Sequence, residues 1–93
     1  MIQVTDYKNF CYFDYENEIS PKYQLGDVLT KDYSKLYEDS EQGIEIGVVI
    51  QTFSDGDFRT DMWGMSSESE VRPATFKEVE VLRPFLLKDL VIG

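Results

Sequence analysis

The clearest pattern of hydrophobic and polar positions lies in residues 44–63. Apolar side chains occupy every second position from Ile44 to Ile50, and a similar alternation runs from Phe58 to Trp63. A period of two is typical of a β-strand with one buried face. Asp55-Gly56 lies between the two stretches, and glycine adopts the positive φ angles that tight turns require. Residues 44–63 therefore predict a β-hairpin.

The length of the hairpin loop decides which side chains face the core. A two-residue loop at Asp55-Gly56 pairs Phe53 with Phe58 and puts Asp61 on the core face. A three-residue loop, in which Gly56 is left-handed, pairs Phe53 with Asp57 instead. A shift of one residue inverts every side chain, so burial of apolar residues selects the three-residue loop. The predicted core face consists of Ile46, Val48, Ile50, Phe58, Thr60 and Met62. The pairs on the opposite face are Gln51 with Arg59, Val49 with Asp61 and Gly47 with Trp63.

Shorter signals predict other elements in the first half of the chain. Aromatic residues favour a strand at 10–15. Residues 23–29 suit a strand that is entered through a turn or bulge at Gly26. The polar and acidic segment 30–43 predicts a long surface loop, with one helical turn near 33–37.

The C-terminal quarter of the chain predicts one short α-helix, at about residues 75–83. Thr75 and Glu78 have the spacing of a capping box, in which each side chain satisfies a free backbone N–H. Pro84 ends the helix, because the residue before a proline avoids helical angles. The apolar segment 85–92 is compatible with a last strand, a second short helix or a tail that packs on a partner. The apolar face of the helix is predicted to consist of Phe76, Val79 and Leu82.

Together these elements predict a mainly β fold with one short α-helix. Leu25-Gly26-Asp27-Val28, followed by Ile46-Gly47-Val48-Val49-Ile50, resembles SH3-like barrel modules, which often begin with a Gly-Asp turn. The resemblance covers residues 23–63 and implies a small SH3-like barrel of about five strands with a C-terminal helix. Arg59–Gly64 and Arg72–Thr75 also resemble stretches of short bacterial and phage proteins, and this second resemblance implies no established activity.

Composition and charge narrow the classes of function. A length of 93 residues, with 42% hydrophobic residues, predicts one domain spanning residues 1–93. The net charge of −9 repels phosphate backbones and anionic membranes. The same charge is compatible with a partner protein that has a basic surface. The charge therefore predicts no direct nucleic-acid partner and no membrane partner. Because neither a signal peptide nor an apolar run of ~20 residues is recognisable, we expect a cytoplasmic protein.

Residues suited to catalysis are sparse, because the chain has no histidine and one cysteine, Cys11. Acid–base catalysis at neutral pH usually depends on histidine, and zinc sites use histidine and cysteine. Cys11 itself is predicted to be a small buried hydrophobe. Asp57 and Asp61 form the closest pair of candidate carboxylates, but Asp55-Gly56-Asp57 is better explained as a turn than as a calcium loop. We therefore expect no enzyme activity, no cofactor and no bound metal.

The candidate partner-binding site is the face of the hairpin opposite the core. A Trp that lies over a cross-strand glycine covers otherwise exposed backbone. Arg and Trp also dominate the binding energy of protein interfaces, so we predict a site formed by Gln51, Arg59, Asp61 and Trp63. The alternative is that Trp63 closes the open end of the barrel, while Arg59 and Asp61 pair on the surface.

Two classes of function remain. The first is a non-catalytic protein-interaction or assembly module. The second is an acidic inhibitor that imitates nucleic acid and blocks a DNA- or RNA-binding protein, through an acidic patch of Glu38, Asp39, Glu41 and Glu45. A solvated loop explains the same patch without any partner. The first class is preferred, because acidic charge is also an ordinary route to solubility.

Overall fold

The computed structural model describes residues 1–11, 15–33 and 43–92. Within these ranges the chain forms seven strands, the α-helix α1 and three short 3-10 helices. The strands are β1 (Ile2–Val4), β2 (Val28–Asp32), β3 (Ile44–Thr52), β4 (Phe58–Thr60), β5 (Met65–Ser66), β6 (Val71–Pro73) and β7 (Leu90–Ile92). The helices are α1 (Phe76–Leu82) and the 3-10 helices Tyr7–Phe10, Glu68–Glu70 and Pro84–Asp89.

Five of the strands form a curled, half-barrel sheet in the order β5–β4–β3–β2–β6, with antiparallel neighbours throughout. β1 and β7 form a separate antiparallel pair. An isolated bridge between Gln3 and Asp27 connects this pair to the turn that precedes β2. The prediction of a mainly β fold with one short α-helix is confirmed.

Apolar side chains cover both faces of the curled sheet. β3 is buried continuously from Ile46 to Thr52, so the expected alternation of buried and exposed positions is wrong for this strand. The helix-side cluster contains Ile2, Val4, Val28, Ile46, Val48, Ala74, Val79 and Leu86. On the other face, the Tyr23 cluster contains Tyr23, Leu29, Val49 and Phe58.

Local signals position α1 as predicted. The Thr75 side chain accepts a hydrogen bond from the Glu78 backbone, and the Glu78 carboxylate accepts one from the Thr75 backbone. The Arg72 guanidinium also donates to both Glu78 oxygens, at 2.8 and 2.6 Å. This pairing with Arg72, reinforced by the hydrogen bonds from Thr75, lowers the pKa of Glu78 to about 2. The predicted apolar face is partly wrong: Val79 is buried, whereas Phe76 and Leu82 are exposed.

Two predictions in the first half of the chain need correction. Phe10 ends a 3-10 helix rather than beginning a strand, and residues 12–14 lie outside the described ranges. The predicted turn before β2 is confirmed, since Gly26 has a φ of +89°. β2, however, continues to Asp32, inside the segment predicted as a loop, because it pairs with β3 on one side and β6 on the other. The helical turn predicted near 33–37 falls outside the described residues from position 34 onward.

The C-terminal segment combines two of the three predicted alternatives. It forms the 3-10 helix Pro84–Asp89 and then β7, which pairs with β1. Leu86 from this helix is fully buried in the helix-side cluster. No helix in the described part of the chain is long and apolar enough to cross a membrane.

Candidate functional site

The hairpin turn between β3 and β4 has the predicted three-residue form. The Phe53 backbone N–H donates to the Asp57 carbonyl at 3.0 Å, and Gly56 has a φ of +97°. The Asp55 carboxylate accepts a hydrogen bond from the Asp57 backbone N–H at 3.0 Å, so it stabilises the turn. In the strands next to the turn, Gln51 lies opposite Arg59, as predicted.

Farther from the turn, a β-bulge changes the register. Val49 pairs with Thr60 rather than with Asp61, which leaves Ile50 as the extra residue. Phe58 therefore packs with Val49 in the Tyr23 cluster, and its predicted place on the same face as Ile46 and Val48 is wrong.

The bulge also ends β4 early, at Thr60. The Thr60 hydroxyl accepts hydrogen bonds from the backbone of Met62 and Trp63, at 3.3 and 3.1 Å. The chain thus reaches Trp63 through a turn. Met62 is 48% exposed, so its predicted place in the core is wrong.

Asp61 forms neither the predicted contact with Val49 nor the alternative pair with Arg59. Its carboxylate accepts from the Val48 backbone at 2.9 Å and from two nitrogens of Arg83, at 3.2 and 2.9 Å. The side chains of Asp61 and Arg83 are only 9% and 12% exposed. Asp61 therefore connects the hairpin to the end of α1, and it is not a free partner-binding group.

Sequence reasoning did not identify Arg83. Its guanidinium donates to the Ile46 carbonyl at 3.1 Å. The guanidinium carbon also lies 5.8 Å from the ring centre of Phe10 and 4.8 Å from that of Phe85. The contacts with Ile46, Phe10 and Asp61 join segments far apart in the chain, so no local spacing signals them.

Trp63 lies over Gly47, as the sequence predicted. A β-carbon added to Gly47 would stand 2.7 Å from the Trp63 ring. The Lys31 ammonium lies 5.7 Å from the ring centre, and it also pairs with Glu70 at 3.3 Å. The buried indole Nε1 of Trp63 has no hydrogen-bond acceptor among the described residues. The half-buried Trp63 is therefore both part of the packing and part of the surface.

Arg59 is held in place from two sides. Its Nε donates to the Gln51 side-chain oxygen at 3.2 Å, and its guanidinium carbon lies 5.4 Å from the ring centre of Tyr15. Gln51 is itself buried and donates to the Glu16 carbonyl at 3.1 Å. Gln51 thus positions Arg59 rather than offering itself to a partner. Within the described ranges, the terminal nitrogens Nη1 and Nη2 of Arg59 have no acceptor.

Three of the four predicted site residues line one surface cleft of about 280 Å³, which we call the Arg59 cleft. Gln51 does not line the cleft, but its side-chain oxygen accepts a hydrogen bond from Arg59. The only carboxylate in the described lining is that of Asp61, which Arg83 already engages. The lining residues are Phe10, Tyr15, Ile50, Arg59, Thr60, Asp61, Met62, Trp63 and Gly64.

Of the predicted acidic patch, the structure describes Glu45 alone. Glu38, Asp39 and Glu41 lie outside the described residues. Glu45 lies in β3, where its carboxylate accepts from the Tyr33 hydroxyl at 2.9 Å. Glu45 is therefore a half-buried part of the sheet rather than a freely solvated charge.

The described part of the chain offers little support for a metal site or for a buried cysteine. No group of three or more Asp, Glu or Cys side chains there could hold a metal ion. Cys11 is half-buried rather than fully buried.

No protein-family model matches the chain, and no curated protein and no solved structure matches it. The Arg59 cleft is the candidate site considered below, because three of the four predicted partner-binding residues line it.

Proposed function

We propose that this chain is a non-catalytic protein-interaction module that binds a partner protein at the Arg59 cleft. The observation that carries the proposal is the composition of the lining. Aromatic residues, Met and Arg are the residue types enriched at the centres of protein interfaces, whereas Lys, Glu and Asp are depleted there. The cleft offers Phe, Tyr, Trp, Met and Arg side chains, and its one carboxylate is already paired.

Rigidity supports the same proposal. Arg59 is fixed by Gln51 and Tyr15, and Trp63 is fixed by its contact with Gly47. Side chains that are already ordered lose little conformational entropy when a partner binds. Met62, beside them, is exposed and supplies an apolar contact.

The proposal also includes the fold type, the charge of the partner and the cellular compartment. The curled five-stranded sheet and the left-handed Gly26 before β2 support an SH3-like barrel module. The net charge of −9 favours a partner with a basic surface around the contact. A single cysteine suits a cytoplasmic protein that does not depend on disulfides.

The test compares two apolar-to-acidic substitutions at exposed positions. Met62→Asp changes the lining of the cleft, whereas the control Ile19→Asp changes a side chain that is 94% exposed and lies outside the cleft. Tagged wild-type protein and both variants are used to isolate partners from native lysate, and the recovered proteins are quantified. We expect a partner that binds the wild type and Ile19→Asp equally and is lost with Met62→Asp. Equal recovery of every protein by Met62→Asp would refute the cleft as the binding site. Circular dichroism confirms that both variants are folded.

A further inference from the structure

We infer that the Arg59 cleft binds a partner segment through the side-chain carboxylate of an Asp or Glu residue that is flanked by apolar residues. This inference rests on the proposed function and adds the chemistry of the ligand. Its basis is the hydrogen bonding of the Arg59 guanidinium. Nε donates to Gln51, whereas Nη1 and Nη2 have no acceptor among the described residues.

A carboxylate matches this arrangement. The two terminal nitrogens of a guanidinium donate in parallel to the two oxygens of a carboxylate, and such bidentate pairs are stronger than hydrogen bonds between neutral groups. The cation–π contact with Tyr15 and the hydrogen bond to Gln51 hold the guanidinium in place before binding. Arg is better suited than Lys to this role, since Lys has no planar fork.

The charges around the cleft favour an acceptor from outside the chain. The sequence contains eighteen acidic and nine basic residues. Even so, no carboxylate among the described residues lies within salt-bridge distance of Arg59. Asp61 lines the same cleft, but its oxygens accept from Arg83 and the Val48 backbone. Among the described residues, Arg59 therefore has no carboxylate partner, although the protein as a whole is acidic.

The apolar part of the lining indicates what lies beside the carboxylate. Met65 is 57% exposed and lies directly opposite Arg59 in the sheet. Met62 and Phe10 line the cleft itself. A partner side chain that covers these residues buries apolar surface next to the ion pair, and exclusion of water strengthens that pair. We therefore commit to an internal segment with an acidic residue between apolar ones.

The test uses an array of acetylated and amidated nonapeptides, whose central residue is Glu, Gln or Lys. Leu or Phe flanks the centre, and neutral residues fill the other positions. The array is probed with the labelled wild type, with Arg59→Gln and Arg59→Lys, and with Met62→Asp. Lys77→Gln is the matched control, since it removes one positive charge from an exposed helix position outside the cleft. Fluorescence anisotropy then gives the affinities of the best peptides.

We expect the wild type and Lys77→Gln to prefer Glu-centred peptides over the matching Gln-centred peptides by about tenfold. Arg59→Gln should abolish that preference, and Arg59→Lys should reduce it. Equal affinity of the wild type for Glu and Gln peptides, or a preference that survives in Arg59→Gln, would overturn the inference. If peptides bind regardless of their centre but are lost with Met62→Asp, the carboxylate inference fails and the proposed function stands. If no peptide depends on Arg59 or Met62, the carboxylate inference fails, and the comparison of Met62→Asp with Ile19→Asp in lysate decides the proposed function separately.

Discussion

The ion pair between Asp61 and Arg83 is largely buried, and it holds a residue that lines the Arg59 cleft. It joins the turn after β4 to the residue that follows α1. Its two side chains are 9% and 12% exposed, and the Asp61 carboxylate accepts three hydrogen bonds. Asp61→Asn removes the charge with almost no change in shape, and it turns one acceptor oxygen into a donor that faces Arg83.

The expected cost follows from burial. Breaking a buried ion pair by neutralising one partner leaves the other charge uncompensated, which costs about 3–5 kcal/mol. The total stability of a domain of this size is about 5–15 kcal/mol. Glu68→Gln is the matched control, because Glu68 pairs with Lys22 at the surface, where the two side chains are 54% and 52% exposed. Exposed pairs contribute about 0–1 kcal/mol.

Urea unfolding, followed by circular dichroism, measures the free energy of unfolding of each variant. We expect Asp61→Asn to lose about 3 kcal/mol or more, with a melting temperature lower by roughly 12 °C or more. Arg83→Met keeps an apolar stem and also removes the buried charge, so the double variant should lose less than the sum of the two single variants. A loss below about 1 kcal/mol for Asp61→Asn, or simple additivity, would refute the reasoning.

Two further predictions concern packing and pH. Gly47→Ala places a β-carbon 2.7 Å from the Trp63 ring, so it should destabilise the protein by about 1–3 kcal/mol and shift the fluorescence of the single tryptophan to the red. Gly43→Ala, whose added carbon meets no described residue within 4 Å apart from its chain neighbours, should change the fluorescence little, and an equal shift in both variants would contradict the proposed contact. The folded-state pKa of Glu78 is lowered from 4.5 to about 2, chiefly by Arg72. The unfolded chain therefore binds more protons between these values, and the stabilisation present above pH 4.5 is lost as the pH falls toward 2. Unfolding free energies measured across this range should fall more steeply for the wild type than for Glu78→Gln, and parallel curves would count against the pairing.

The parts of the fold that sequence reasoning predicted correctly depend on neighbours a few residues apart. The turn from Phe53 to Asp57 requires a residue with positive φ, and Gly56 supplies it. The start of α1 depends on Thr75 and Glu78, three positions apart. Such local chemistry is visible in one sequence, because the interacting atoms belong to the same short segment.

The errors arise where distant segments decide the structure. β3 alternates in sequence but is buried on both faces, because segments that include Tyr23 cover the face predicted to be exposed. Asp61 and Arg83 are 22 positions apart, and nothing in their local sequences links them. The bulge at Ile50 is equally hidden, because nothing in the sequence alternation from Ile44 to Ile50 marks the extra residue.

The bulge that makes the predicted register wrong also shapes the candidate site. In a regular strand, Arg59 and Asp61 would share one face, two positions apart, and Met62 would point into the core. The extra residue ends β4 at Thr60, turns Asp61 toward Arg83 and leaves Met62 exposed. Asp61, which in a regular strand would lie beside Arg59, therefore pairs with Arg83 instead. The apolar side chain of Met62 lies at the surface. Bulges are frequent next to functional sites because they redirect side chains in this way. Local periodicity does not reveal this bulge, yet it leaves Arg59 without a carboxylate partner among the described residues and places the apolar side chain of Met62 at the surface of the Arg59 cleft.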